Sequence, residues 1–233
     1  MYTPAITPHC SFVLKPLAAA VLVVCASGVH AAPSFNGSPG GNVTVETSGS
    51  TTTVTQSVTA SNRALANWDD FSIAGNESVV FEQPNANSVI LNRVLGSNPS
   101  EIFGRLSANG RVFLINPSGI VFGANSEINV NGLVASTLGL RNGSTARDEI
   151  VQFRAAPDAG SIVNEGVITA KDIVLLAPSI TNSGTLNANS AGASVSLIAA
   201  GEVAVNTVDG NLNAQPLESG NRALIEQLGQ VLA

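Results

Sequence analysis

The stretch ANGRVFLINPSGIVFGANSEINVNGLVAST, residues 108–137, decides the fold of this chain. Short apolar runs alternate in it with polar breaks, and the sharpest break is Asn116-Pro117-Ser118-Gly119, named here the NPSG turn. Each apolar run is too short for a helix, so the runs are predicted to be strands. Asn can bond to the backbone, Pro presets φ and Gly takes the fourth position, which predicts a type I turn. Short strands joined by sharp corners predict a chain that coils into a solenoid.

Repeats in the C-terminal half support the solenoid. The segment NEGVITA at residues 164–170 recurs as NSGTLNA at 182–188, which is 18 positions later. The segment IVLLAP at residues 173–178 recurs as VSLIAA at 195–200, which is 22 positions later. A period near twenty indicates a β-helix, whose coils stack about 4.8 Å apart. The predicted fold is all-β, a right-handed parallel β-helix in which Asn164 and Asn182 stack as a ladder inside a turn.

Alternation within the strands predicts which side chains enter the core, because neighbouring residues of a strand point to opposite faces. The inward set consists of Val112, Leu114, Ile120, Phe122, Ile128, Val130, Ile168, Ile173, Leu175, Leu186, Val195 and Leu197. The tail at residues 216–233 has a different pattern. Its apolar residues Leu224, Ile225, Leu228 and Val231 follow a helical spacing, with Asn221 as the N-cap. A short C-terminal helix is therefore predicted to cover the open end of the solenoid.

Composition excludes several classes of protein. The chain is 44% hydrophobic but only 4% aromatic and 11% charged, and it has 22 glycines, which favours β structure with many turns. The net charge of −6 provides no basic surface for nucleic acid. Scattered acidic residues, and a neighbouring pair (Asp69, Asp70) whose side chains would point to opposite faces of a strand, predict no enzyme.

The first 31 residues have the pattern of a secretory signal peptide. Lys15 precedes an apolar core at residues 16–27, and cleavage is predicted after Ala31. The apolar core is too short to span a bilayer, so no stable membrane insertion is expected. Both cysteines and both histidines lie within this segment. The mature chain would therefore have no disulfide, no thiol nucleophile and no Cys/His metal site, and no cofactor is predicted.

The central stretch also resembles the two-partner secretion (TPS) domain of filamentous haemagglutinin-like exoproteins, known as the haemagglutination activity domain. The resemblance rests on an NPxG motif followed by a GxLVAST-like segment, and it covers about residues 36–213. It implies a secretion motif and a structural motif, made respectively of Asn116, Pro117, Ser118, Gly119 and Ile120, and of Asn131, Gly132, Leu133, Ser136 and Thr137. It also implies that residues 42–59 form strands that cap the N-terminal end.

The resemblance implies a function. The partner would be an outer-membrane TpsB-type transporter with POTRA domains, and the exported protein would reach the surface or medium of a Gram-negative bacterium with an adhesin-related role. The chain lacks the upstream NPNL motif of some members and ends without a long passenger, which leaves open whether it is truncated. The NPSG turn could act by fixing a corner of the β-helix or by being read directly by the transporter.

The predicted organisation is a signal peptide at residues 1–31, a TPS domain at 32–215 and a tail at 216–233. Two other functions remain open. The chain could be a stand-alone surface protein that binds carbohydrate or a host-cell receptor. It could also be a β-helix enzyme that degrades polysaccharides, for which three or more carboxylates would have to converge in one groove.

Overall fold

The computed structural model describes residues 32–145, 147–188, 190–208, 211–219 and 224–232. The predicted signal peptide lies outside these residues. The described strands, in chain order, are β1 (Ser34–Gly37), β2 (Val43–Ser48), β3 (Thr51–Gln56), β4 (Arg63–Asp70), β5 (Ser78–Glu82), β6 (Val89–Val94), β7 (Ser100–Ile102), β8 (Arg105–Ala108), β9 (Arg111–Ile115), β10 (Ile120–Phe122), β11 (Glu127–Asn129), β12 (Gly132–Ser136), β13 (Gly139–Leu140), β14 (Ile150–Arg154), β15 (Ile162–Asn164), β16 (Val167–Ala170), β17 (Asp172–Leu176), β18 (Ser179–Asn182), β19 (Thr185–Ala188), β20 (Ser194–Ile198), β21 (Ala200–Asn206), β22 (Asn213–Ser219), β23 (Leu224–Gln227) and β24 (Gln230–Leu232).

These strands form a β-helix with three faces, because the chain visits three sheets in turn and then begins the next coil. Face A has the order β1-β4-β6-β9-β12-β17-β20, face B the order β2-β3-β5-β8-β11-β16-β19-β24, and face C the order β23-β18-β15-β10-β7. Stacked strands run parallel, whereas β1 and β2 add to β4 and β3 in antiparallel fashion at the N-terminal end. The parallel β-helix and its N-terminal capping strands are therefore confirmed. No helix among the described residues has the length and apolar character needed to cross a membrane.

Strand register confirms both sequence repeats. Val167 pairs with Thr185, and Asp172 pairs with Ser194, which reproduces the spacings of 18 and 22 residues. The expected Asn ladder is also present, since Asn164 Nδ2 donates to Asn182 Oδ1 at 2.6 Å. The ladder continues one coil further, where Asn182 Nδ2 donates to Gln227 Oε1 at 3.1 Å. Buried amides are satisfied here by their own repeats, which links the sequence period to the stacking of coils.

The main core runs through the interior of the β-helix. All twelve residues predicted to point inward belong to it, with Val195 and Leu197 half-buried at its edge. Aromatic residues fill its N-terminal part, where the rings of Trp68 and Phe71 pack edge to face at 4.9 Å. The indole nitrogen of Trp68 donates to Asn92 Oδ1 at 3.0 Å, so this buried polar group is satisfied.

A second core lies on the outer side of face A. A loop from the β-helix, predicted from residues 138–148 as a hairpin, forms the antiparallel pair of β13 and β14. Strands β21 and β22 complete this four-stranded layer, named here sheet D. Phe113 and Val134 of face A pack against Phe153 and Val203 of sheet D. Strands β9, β12 and β17 are consequently buried on both sides, which explains why they read as continuous apolar runs.

The predicted C-terminal helix is wrong. Strand β22 crosses the position where the tail was expected to begin, and the residues that follow form β23 and β24. Ile225 pairs with Ile180, and Val231 pairs with Leu186, so the tail continues the stack of coils. The physical reason is that the edges of β18 and β19 offer backbone hydrogen bonds to any segment that extends along them. The turn at Leu228 and Gly229, whose backbone nitrogens donate to Asn182 O at 2.7 and 2.8 Å, separates the two rungs.

Candidate functional site

The NPSG turn forms the corner at which the chain leaves face A for face C, between β9 and β10. Gly119 N donates to Asn116 O at 3.1 Å, which closes the predicted β-turn. Asn116 Oδ1 also accepts a hydrogen bond from Ser118 N at 3.0 Å, so the asparagine side chain braces the turn from inside. Gly119 has a φ of +130°, a conformation that side chains other than glycine rarely adopt.

Asn116 also joins this corner to the coils on either side of it. Its Nδ2 donates to Asn98 O and to Ser100 Oγ, both at 3.0 Å, in the preceding coil. Its backbone nitrogen donates to Ser136 O at 2.9 Å in the following coil. The residue is fully buried. Asn116 is therefore the point at which three successive coils are tied together.

Sequence reasoning did not identify Asn98 and Ser100 as partners of the motif. A signal for them exists, because Asn98-Pro99-Ser100 repeats the first three residues of the NPSG turn 18 positions earlier. This spacing is one coil of the β-helix, so the two Asn-Pro corners lie in neighbouring coils. The period that revealed the later repeats would also have placed these two corners together.

The end of β12 brings the second half of the motif to the same corner. Ser136 supplies the carbonyl that accepts from Asn116, and its hydroxyl contacts both backbone groups of Leu138. Thr137 Oγ1 donates to Gly160 O at 2.8 Å, and Gly160 N donates to Pro117 O at 2.8 Å. Thr137 thus holds the segment at Gly160 directly against the NPSG turn.

Gly160 approaches the turn too closely for any side chain. A Cβ at this position would lie 2.5 Å from Ser118 O and 2.8 Å from Gly119 Cα. The neighbouring residue contributes as well, because Ile120 N donates to Ser161 O at 3.1 Å. Sequence reasoning missed Gly160, and the chain offers no local signal for it, since it is about forty positions from the turn that it contacts.

The beginning of the structural motif lies elsewhere. Asn131, Gly132 and Leu133 stand at the start of β12, at the opposite end of that strand from the NPSG turn. Asn131 Nδ2 donates to Ala86 O at 2.7 Å. A Cβ on Gly132 would lie 3.1 Å from Arg111 Cγ, so the arginine stem passes over the glycine. The structure therefore brings residues 116–120 together with Ser136 and Thr137, but not with residues 131–133.

A buried charged row lies on the outer side of face A near Gly132. Arg111 Nη1 donates to Thr207 O at 3.1 Å, and its Nη2 donates to Asn87 Oδ1 at 2.9 Å. Asp172 Oδ2 accepts from Leu212 N at 3.1 Å. Burial lowers the pKa of Arg111, and the nearby carboxylate of Asp172 opposes that shift. These groups fasten the loop between β21 and β22 to the β-helix.

The chemistry available at the corner is limited. None of residues 116–120 carries a titratable side chain, so the corner can bind by hydrogen bonds and shape but cannot transfer a proton. Among the described residues, no group of three or more His, Cys, Asp or Glu side chains could hold a metal ion. Asp69 accepts from Asn36, and Asp70 accepts from Ser72, so each of these neighbouring carboxylates has its own partner.

Comparison with known sequences and structures places the chain among secretion domains. Residues 31–232 match the family described as the TPS secretion domain. Two heme/hemopexin-binding proteins from Haemophilus influenzae are 36% and 35% identical to the chain over 161 and 159 residues. These alignments cover 65% and 66% of this chain but 17% of each relative, so the chain spans about one sixth of their length.

Two solved structures have the same fold. The secretion domain of HMW1 from Haemophilus influenzae superposes with a TM-score of 0.71 and 30% identity, covering 85% of this chain and 52% of that one. The secretion domain of filamentous hemagglutinin superposes with a TM-score of 0.59, covering 86% of this chain and 76% of that one. Its identity of 18% supports the shared fold alone.

Proposed function

Because this chain belongs to the TPS secretion domain family, we propose that it is the secretion-signal domain of a two-partner-secretion exoprotein. TPS exoproteins are secreted by Gram-negative bacteria through outer-membrane transporters. The specific partner proposed here is a TpsB-type transporter with POTRA domains, which receives the chain after a Sec signal peptide at residues 1–31 has been removed. The exported protein then resides at the cell surface or in the medium.

The observation that carries this proposal is the position of Asn116. It is buried, and its side-chain and backbone groups bond within the turn, to the preceding coil and to the following coil. Pro117 and Ser118 are the half-exposed residues of the corner. A transporter that reads Asn116 directly must therefore meet the chain before this corner forms, whereas a folded domain presents only Pro117 and Ser118.

Two mechanisms follow for the NPSG turn. In the first, formation of the corner outside the cell stabilises the new coils and thereby draws the chain outward. In the second, the transporter binds the extended Asn-Pro segment in the periplasm and folding has no part in recognition. We favour the first, because Asn116 has a complete set of structural partners that a recognition element would not need.

The exoprotein's ligand is a separate matter. The matched relatives are named for binding heme and hemopexin, and the match covers 17% of their length. We propose that such a binding or adhesin-related activity belongs to a longer exported protein of which this domain directs secretion. The alternative is that the domain itself binds a carbohydrate or host receptor on the outside of the cell. The enzyme alternative gains no carboxylate cluster from the described residues.

The test is the Asn116→Ala variant, expressed together with the cognate transporter. The substitution removes two donated hydrogen bonds and leaves Asn98 O and Ser100 Oγ without this partner. We expect the free energy of unfolding to fall by about 1–3 kcal/mol, measured by denaturant unfolding, and the secreted fraction to fall with it. The matched control is Asn125→Ala, since Asn125 is exposed in the next turn of the chain.

The outcomes separate the mechanisms. Lower stability together with lower secretion supports the folding mechanism. Unchanged stability with abolished secretion supports direct recognition by the transporter. Secretion of the Asn116→Ala protein at the level of the Asn125→Ala control would remove Asn116 from the export signal.

A further inference from the structure

A cleft of about 670 Å³ opens at the edge where face B meets face A in the first coil. Its walls are the start of β4, the loop after β3, the N-terminal loop near Asn42, and the loop between β13 and β14. This volume lies within the usual range for small-molecule sites. The cleft lies at the start of a strand of face A, whereas the NPSG turn follows the end of one, so the two sites occupy different edges of the solenoid.

The charged residues that line this cleft are both arginines, Arg63 and Arg147, although the chain as a whole carries a net charge of −6. Arg63 is held in place because its Nη2 donates to Thr207 Oγ1. Arg147 extends from the loop between β13 and β14, and a Cβ on Gly40 would lie 3.9 Å from its Nη2. The two guanidinium groups therefore enter the cleft from opposite walls.

Several hydrogen-bond donors of this cleft have no partner. Arg63 Nη1 and Thr59 Oγ1 are buried and bond to no atom of the described residues. The guanidinium of Arg147 likewise makes no hydrogen bond or ion pair within the described part of the chain. Buried donors without acceptors are costly, so their convergence on one cleft indicates an acceptor that binds there.

Acidic residues near the cleft do not satisfy these arginines. Asp148 directs its carboxylate to its own loop, where it accepts from Thr145 N at 2.6 Å and from Thr145 Oγ1 at 3.0 Å. Glu149 lines a neighbouring cleft, and Thr207 Oγ1 donates to its backbone oxygen. Burial lowers the pKa of Arg63, and the charges of Glu149 and Asp148 oppose that shift without forming an ion pair with it. An anion bound in the cleft would stabilise this guanidinium further.

We propose that this cleft binds an acidic sugar, a saccharide unit that carries a carboxylate or a sulfate group. A planar guanidinium pairs with either oxyanion through two parallel hydrogen bonds, which suits Arg63 and Arg147. The hydroxyls of Thr59 and Ser61 and the amide of Asn42 provide partners for sugar hydroxyls. Leu65 supplies an apolar contact for the ring carbons. The site would give the exported domain a ligand of its own, independent of the export signal.

Titration calorimetry with the full chain tests the proposal. The probes are a sulfated disaccharide, a glucuronate-containing disaccharide, a neutral disaccharide and sodium sulfate, each at low and at physiological salt. We expect at least one acidic disaccharide to bind and the neutral one not to bind. Which acidic disaccharide binds identifies the group, carboxylate or sulfate, that the arginines recognise.

Variants localise the binding. Arg147→Gln should weaken binding about tenfold or more, because it removes a charge-assisted contact from an exposed loop. Arg93→Gln is the matched control, since Arg93 is exposed on β6 outside the cleft and its loss changes the net charge by the same amount. Arg63→Gln should also weaken binding, and its melting temperature is measured because it loses the bond to Thr207.

Four results would overturn the proposal. They are the absence of binding by both acidic disaccharides, binding of sulfate alone as an adventitious ion only, equal binding of the neutral disaccharide, and equal weakening by Arg147→Gln and Arg93→Gln. The last result would show that a diffuse positive field, rather than this cleft, attracts the sugar.

Discussion

At the scale of single residues, the NPSG corner depends on groups from distant parts of the chain. Asn116 supplies the internal bonds of the turn, while Thr137 and Gly160 press a returning segment against it. Gly160 is required for a steric reason, because its backbone passes directly over Ser118. The corner is thus complete only when the chain has returned from its excursion to sheet D.

Substitution of Gly160 tests this dependence. In Gly160→Ala, the new methyl group would meet backbone atoms of Ser118 that cannot move without opening the turn. We expect the free energy of unfolding to fall by about 1–3 kcal/mol, as for other overpacked sites, and export by the cognate transporter to fall as well.

The control for that substitution is Gly201→Ala. No atom lies within 4 Å of a Cβ built on Gly201, so the change should alter stability by no more than about 0.5 kcal/mol. Equal melting temperatures for the two variants would show that the corner tolerates a side chain at residue 160.

At the scale of secondary-structure elements, sheet D turns face A into a layer that is buried on both sides. Residues such as Val112 and Leu114 of β9 enter the β-helix, while their neighbours Phe113 and Ile115 pack under sheet D. Face B differs, because the residues of β8 and β11 that point away from the interior remain partly or fully exposed. The stability of β9 should therefore depend on sheet D as well as on the stacking of coils.

Removal of an outward-facing aromatic side chain measures that dependence. Phe113→Ala leaves a cavity between β9 and sheet D and should lower the free energy of unfolding by about 3–5 kcal/mol. Val80→Ala, on the half-exposed outer side of β5, should cost about 1 kcal/mol or less. Denaturant unfolding of both proteins gives the comparison, and similar losses would indicate that sheet D contributes little packing energy.

At the scale of the whole molecule, the β-helix is stabilised by stacking and by side-chain ladders. Residues 32–233 contain no Cys and no His. The N-terminal end is covered by β1 and β2, whereas β23 and β24 add exposed apolar side chains, such as Leu224 and Leu228, to the last described rungs. Each coil contacts mainly its neighbours, as in other solenoids, so the domain can be stable without a covalent or metal cross-link.

This architecture predicts that folding does not depend on redox state or metal. Neither a reductant nor EDTA should change the melting temperature of residues 32–233, measured by circular dichroism. A fall of several degrees with EDTA alone would reveal a site for Ca²⁺ made of oxygen ligands. A change with reductant would contradict the absence of cysteine from the folded protein.

The sequence by itself determined the features that depend on local period and turn chemistry. The spacings of 18 and 22 residues became strand registers, alternation identified the inward side chains, and the NPSG turn formed where Asn, Pro and Gly stood in order. These features follow from the sequence because each depends on residues close together in the chain or on an exact repeat of them.

Only the tertiary structure decided what covers face A, how the tail folds, and which residues complete the corner. Alternation tells which side of a strand is apolar but not which element packs there, so sheet D was not foreseen. The apolar spacing at residues 224–232 fits a helix or two short strands, and the free edges of β18 and β19 favoured the strands. Gly160 reaches Ser118 only after a long excursion returns to the β-helix, and a contact between segments that far apart leaves no periodic trace in the sequence.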